Sequence, residues 1–181
     1  MDFTFVSGNP ALDLTGTVRS RRDAPLDLLA TPADLARWVT ECDDLPDQAD
    51  ADPATFEAAL SLREAIYQLA LDRVLGQPFT PPSLKVVNTT AAAPTLTPTL
   101  SDTGLRLTGD LPAVLTHIAR SAIAVLADPR SHLKECGRTD CTRLYLDRSR
   151  GARRNWCGME ECGNRVKAAA YRARKRPPPN P

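Results

Sequence analysis

Apolar positions along this chain recur mostly at helical spacing and alternate only in short runs. Leu35, Trp38 and Val39 stand at i, i+3 and i+4 behind Thr31-Pro32, an N-cap with proline at the first helical position. They predict an amphipathic helix ending near Glu41. An acidic, proline-punctuated loop over residues 43–53 leads to a longer helix over residues 54–75. Its stripe holds Phe56, Leu60, Ile66, Leu69 and Val74, and Gly76 closes it. Pro81-Pro82 introduces a further helix over residues 83–93. Pro112 opens another that runs to Ala127, offers Val114, Leu115, Ile118, Ile123 and Val125 for burial, and is stopped by Asp128-Pro129.

Period-two patterning is weaker. Residues 3–6 alternate before the turn at Ser7-Gly8-Asn9-Pro10 and predict a short strand, while residues 11–18 fit a helix or an extended segment. Residues 19–25 are polar and read as a loop. Residues 95–100 and 105–108 alternate around Ser-Asp-Thr-Gly, a hairpin signal. The expected fold class is α+β: a predominantly helical N-terminal domain over residues 1–129 with a small β element and no internal repeat, followed by something different.

Composition, 42% hydrophobic and 25% charged, suits a soluble protein with no apolar run approaching a membrane span. The opening MDFTFVSGNPALDL has no basic segment leading into an apolar stretch, so the reading predicts no secretory leader, no membrane partner and a cytoplasmic location. The net charge of +1 conceals a division. Residues 130–176 hold 14 Lys/Arg against 5 Asp/Glu, and the remainder holds 9 against 17. Such asymmetry points to a basic, anion-binding module joined to an acidic one.

Four of the five cysteines lie in that basic module as two pairs of equal spacing, Cys136-x4-Cys141 and Cys157-x4-Cys162. Two short-range pairs joined by a modest loop supply the four soft ligands of a zinc tetrahedron at small cost in chain entropy. Local disulfides and unrelated core thiols are the competing readings. A reducing compartment argues against the first, and a segment too poor in apolar residues to build its own core argues against the second. A closed, structural Zn2+ site is expected, without metal catalysis. His132 is a substitute ligand or an exposed linker residue, with the linker favoured; Cys42 reads as a partly buried or idle thiol and His117 as a packing histidine.

Between the pairs, Leu144–Leu146 alternate as a short strand or arm, among Arg143, Arg148, Arg150, Arg153 and Arg154. After Cys157 the sequence predicts a helix with Glu160 and Glu161 in its first turn and cations near its end, both favourable against the helix dipole. Its alanine run favours helix, and Pro177-Pro178-Pro179 ends it and begins a disordered tail at 177–181. Asn164, Lys167, Tyr171 and Arg174 share one face of that helix, flanked by Arg165, Arg172 and Arg176. A row of cations at this spacing can follow a phosphate backbone, which makes DNA the expected partner; a solvated helix end or an acidic partner is the plainer alternative.

Cys162-Gly163-Asn164-Arg165, with Arg153-Arg154-Asn155-Trp156, Asp140-Cys141, Asp147 and Ser149 before it, resembles the CGNR zinc finger. Gly8-Asn9-Pro10-Ala11-Leu12-Asp13-Leu14 and Leu62-Arg63-Glu64-Ala65 resemble the ABATE domain that commonly precedes this finger in bacterial proteins. Where that pattern has Asn-Thr, this chain has Gly16-Thr17. The resemblance implies a stress-induced transcription regulator, an ABATE domain at 1–129 that senses a small-molecule effector, and a finger at 130–176 that binds DNA. Gly8, Asn9, Asp13 and Arg63 are the candidate pocket residues, with ordinary turn and helix structure as the equal alternative. The candidate nucleic-acid contacts are Arg153, Arg154, Arg165, Lys167, Arg172, Arg174, Lys175 and Arg176. A zinc-stapled adaptor for RNA or an acidic protein is the other function class. No nucleophile–base pair and no phosphate-cradling glycine loop stands out, so no catalytic residues are expected. A finger this small buries little surface, so a homodimer or a second module is expected for specificity.

Overall fold

A computed structural model describes residues 2–46 and 50–175. Helix α1 (Pro10–Thr15) is short and wholly buried, capped by Asn9, whose side-chain oxygen accepts from the Ala11 N–H. A two-residue ladder pairs β1 (Val18–Arg19) with β2 (Leu26–Asp27), so the polar loop expected at 19–25 is the tip of a small hairpin. Helix α2 (Pro32–Thr40) starts at a capping box between Thr31 and Asp34. Helix α3 (Pro53–Leu75) is the longest, entered from Asp52 and ended by Gly76 in the left-handed region at φ 65°, which glycine reaches without strain. Helix α4 (Pro81–Ala91), the hairpin β3 (Thr97–Ser101) and β4 (Gly104–Thr108), and helix α5 (Leu111–Ala127) follow.

Helix α3 is the spine, with α1, α4 and α5 packed around it. One apolar core takes Leu12 and Leu14 of α1, Leu35 and Trp38 of α2, Leu62, Ile66 and Leu69 of α3, and Val114 and Ile118 of α5. The expected stripe of α3 is only partly inward. Phe56, Ile66 and Leu69 are buried, whereas Leu60 and Val74 sit at the core's edge. Ile123, expected inward, is exposed on α5.

The expected hairpin forms as β3–β4, with Leu107 half-buried against the helical core and no residue of the two strands fully buried. Leu100 is 88% exposed and Leu105 73%. Leu100→Ser should therefore change unfolding free energy by no more than about 0.5 kcal/mol in a denaturant titration, as for surface positions generally.

Residues 3–6 do not form the expected strand. They carry no regular secondary structure and run between the helical domain and the C-terminal module, with Phe3 buried in the helical core. That module opens with an antiparallel pair, β5 (Leu133–Glu135) and β6 (Leu144–Leu146), in which Lys134 faces Tyr145. Strand β6 is buried along its length. Leu144 and Leu146 join the helical core, while Tyr145 points to the other side and packs with Cys136, Cys157 and Cys162. Period-two alternation thus lets three residues serve two cores. A single wide turn, Met159–Gly163, leads into α6 (Asn164–Lys175), so Glu160 and Glu161 lie in that turn and the regular helix begins at Asn164. Among the described residues no helix is long and apolar enough to cross a membrane.

Candidate metal centre and basic surface

The two cysteine pairs reach one point from separate elements. Cys136 follows β5, Cys141 ends the short loop before β6, Cys157 precedes the wide turn and Cys162 lies within it. Their sulfurs all lie within 4.8 Å of one another. Cys141 Sγ is 3.9 Å from Cys157 Sγ, which is 3.5 Å from Cys162 Sγ. Four thiolates at about 2.3 Å from zinc stand about 3.8 Å apart along the edges of the tetrahedron, so the donors fit the ion in kind and in spacing. None of the cysteines is in a disulfide.

Neighbouring donors address the sulfurs. The Cys157 N–H points at Cys136 Sγ from 3.5 Å, and Arg138 Nη1 lies 3.6 Å from Cys162 Sγ. Such contacts orient thiolate ligands and soften their charge. Crowding makes the thiols interdependent. Hydrogen bonding from Cys141 and Cys157 holds Cys136 far below the ordinary thiol range. Cys136 in turn pushes Cys141 up to about 12 and Cys157 higher still. A dication resolves that conflict, because each thiolate then faces a positive charge rather than another anion. With four protein ligands the site is closed, and its zinc is structural. His132 is exposed and stands outside the cluster, its carbonyl accepting from the Asp147 N–H at 2.8 Å.

Asp147 anchors the loop behind β6. One carboxylate oxygen accepts from Ser149 Oγ at 2.6 Å and from its N–H, and the other accepts from Lys134 Nζ at 2.7 Å and the Arg154 N–H at 2.9 Å. Burial alone would raise this carboxyl, but the bonds from Lys134, Ser149 and Arg154 outweigh it and hold Asp147 far below the usual carboxylate range. Sequence reasoning named Asp147 and Ser149 only as matches to a family pattern and passed over Lys134. The one available signal was its place two residues before Cys136.

The cations divide by environment. Arg153, Arg165, Lys167, Arg172 and Lys175 are exposed, as are Arg148 and Arg150, and none of them forms an ion pair among the described residues. Lys175 lies over the Tyr171 ring, 4.8 Å from its centre. Arg154 differs from the expectation. Its Nε donates to the Trp156 carbonyl at 2.6 Å, Nη2 donates to the Val6 carbonyl at 3.2 Å, and the guanidinium stacks over Tyr145 at 4.6 Å. It faces the N-terminal segment. Arg174 belongs to α6, and Arg176 and the tail at 177–181 lie outside the described residues.

The four candidate pocket residues are engaged within the fold. Gly8, at φ 77°, lies where a Cβ would meet Leu146 Cβ at 3.8 Å. Asn9 caps α1 and donates to Ser121 Oγ at 2.7 Å. Asp13 accepts from the Val6 and Ser7 N–H groups at 3.0 and 2.9 Å, and its burial raises the carboxyl above its ordinary range despite those bonds. Arg63 is 4% exposed and clasps Asp27 with two bonds of 2.7 Å each, while its Nε donates to Glu64. These contacts fix turns and helix packing.

The helical domain and the module docked on it define a zinc-stapled, two-part protein. A family model described as "Putative stress-induced transcription regulator" (ABATE) matches residues 8–129, and that of the CGNR zinc finger matches residues 132–175. The chain belongs to the ABATE family and carries a CGNR zinc finger. No curated protein matches it.

Proposed function

We propose that this zinc-binding regulator acts on transcription by binding DNA through its finger. The observation that carries the reading is the set of exposed cations on α6 and the 148–153 loop that form no ion pair among the described residues, on a module stapled by the zinc cluster. Arg153, Lys167, Arg172 and Lys175 are the proposed phosphate contacts, with Arg148 and Arg150 added to them and Arg154 assigned to holding the finger in place. Asn164, exposed at the first position of α6, is free to approach a base edge.

Each phosphate contact releases a counterion, so log K falls with log salt at about 0.9 per contact. Replacing Lys167, Arg172 and Lys175 together with alanine should weaken duplex binding and flatten that slope by about 2 to 3. An unchanged slope in a mobility-shift titration would remove the proposal. Selection from a random duplex library separates the regulator from an adaptor for RNA or an acidic protein: a recovered consensus supports the first, and no enrichment favours the second.

A further inference from the structure

We propose that the cleft between the β1–β2 hairpin and the zinc module binds a small molecule bearing an oxyanion, phosphate or carboxylate, and that its occupancy adjusts how the finger is held. The cleft, counting the mouth of the cysteine cluster, has a volume of about 220 Å³. That suits a phosphate compound or a short organic acid and falls below the roughly 300 Å³ at which drug-sized ligands begin.

Arg19, Arg138, Arg143 and Arg165 line it against one carboxylate, Asp140. Arg138 is matched, bonded to Asp140 through Nε and Nη2 and lying against Cys162 Sγ. None of the other three forms an ion pair among the described residues, although Asp140 also acts on Arg165 through space. Arg19 donates from Nη2 to the Asp2 carbonyl at 2.9 Å and to Thr4 Oγ1 at 3.2 Å, and its Nε, shielded from solvent, has no hydrogen-bond partner among the described residues. Arg143 is only 8% exposed and donates from Nη1 to the Thr4 carbonyl at 2.7 Å. Asp13 acts on it through space, its described bonds going to Val6 and Ser7. Holding guanidinium groups out of water against neutral oxygens leaves part of their desolvation unrepaid, and an anion would offset it.

The backbone is arranged for the same end. A Cβ on Gly16 would come within 3.3 Å of Arg143 Cζ, so the bare glycine lets that guanidinium lie against α1. Ser20, at the rim, holds φ 51°, a strained conformation of the kind found at ligand clamps. The ligand sulfurs on the far wall are negative even with zinc bound, which places the anion toward Arg19 and Arg143. One wall belongs to the helical domain and the other to the finger, so a ligand touching both couples them to the extent that it binds one arrangement of the two more tightly than another. That regulatory half rests on the DNA-binding reading; the binding half does not.

The test is isothermal titration calorimetry of the zinc-loaded full chain with inorganic phosphate and, separately, succinate, in a buffer of non-coordinating anions and without DNA. Saturable binding at one site per chain is expected for at least one of them. Arg19→Gln and the exposed Arg165→Gln should each weaken it tenfold or more, while Lys85→Gln on α4, outside the cleft, leaves it unchanged. No saturable heat with either anion, or equal weakening by Lys85→Gln, overturns the proposal. If Arg19→Gln does not fold, Arg165→Gln decides alone. Failure here leaves the salt-slope result standing, and failure there removes the regulatory half while leaving anion binding to stand or fall by this titration.

Discussion

Stripping the metal with a chelator, or replacing Cys157 with serine, should lower the melting temperature of the whole chain and not of its C-terminal quarter alone. Zinc held by four thiolates contributes about 10–16 kcal/mol to folding in isolated finger peptides. Here part of that coupling reaches the helical domain, because β6 gives Leu144 and Leu146 to the helical core while Tyr145 rests on the cysteines. The seam is also hydrogen-bonded: the Leu146 N–H donates to the Ser7 carbonyl at 2.8 Å, Arg143 and Arg154 reach the Thr4 and Val6 carbonyls, and Arg22 pairs with Glu135. If about 4 kcal/mol of the metal's contribution passes through this seam, the melting temperature falls by roughly 8–16 °C for a chain of this size. Circular dichroism melts with and without chelator check this, alongside metal analysis giving one zinc per chain for the wild type and a loss for Cys157→Ser. Two separate transitions, with the helical one unmoved, would show that the seam transmits nothing. Acid should act in the same direction, since thiolate ligands that take up protons release the ion.

How far the chain announced this arrangement depends on the range of the interaction. Thr31-Pro32, Asp128-Pro129 and Gly76 act on neighbours a few residues away, so helix ends follow from local chemistry. The metal ligands were legible for a similar reason, because two pairs of short spacing are local even though the four-sulfur cluster is not. What stayed hidden is long-range. Strand β5 has three residues and no strong alternation, and exists because Leu144–Leu146 lies opposite it. Phe3 to Val6 reads as a strand, yet the carbonyls of Thr4 and Val6 are met by the arginine side chains of the finger while Phe3 and Phe5 pack toward the helical domain. Arg63 and Arg154 looked available in sequence because nothing local tells an arginine that Asp27 or the Val6 carbonyl will stand beside it. The exposed Leu100 and Leu105 are the reverse case: alternation gave the hairpin, but a two-stranded ribbon has an inward face only if another element covers it.

Leu144→Ala is the second large effect expected, and it isolates the packing part of the seam from the metal part. Leu144 is fully buried on β6 among the helical-core residues, opposite Glu135 in the ladder. Truncating a buried leucine removes its transfer free energy and leaves a cavity, at a cost of about 2–5 kcal/mol. For a chain of this length that is a fall of roughly 4–20 °C in melting temperature. Because the side chain points away from the cysteines, the variant should still hold one zinc, whereas its neighbour Tyr145 packs against Cys136, Cys157 and Cys162. Urea titration followed at 222 nm, with metal content measured on the same samples, reads both quantities. A loss of zinc without a change in the unfolding midpoint would reverse the assignment of the two faces of β6. A midpoint that shifts while zinc is retained means the finger is held from behind by the helical core as well as stapled from within.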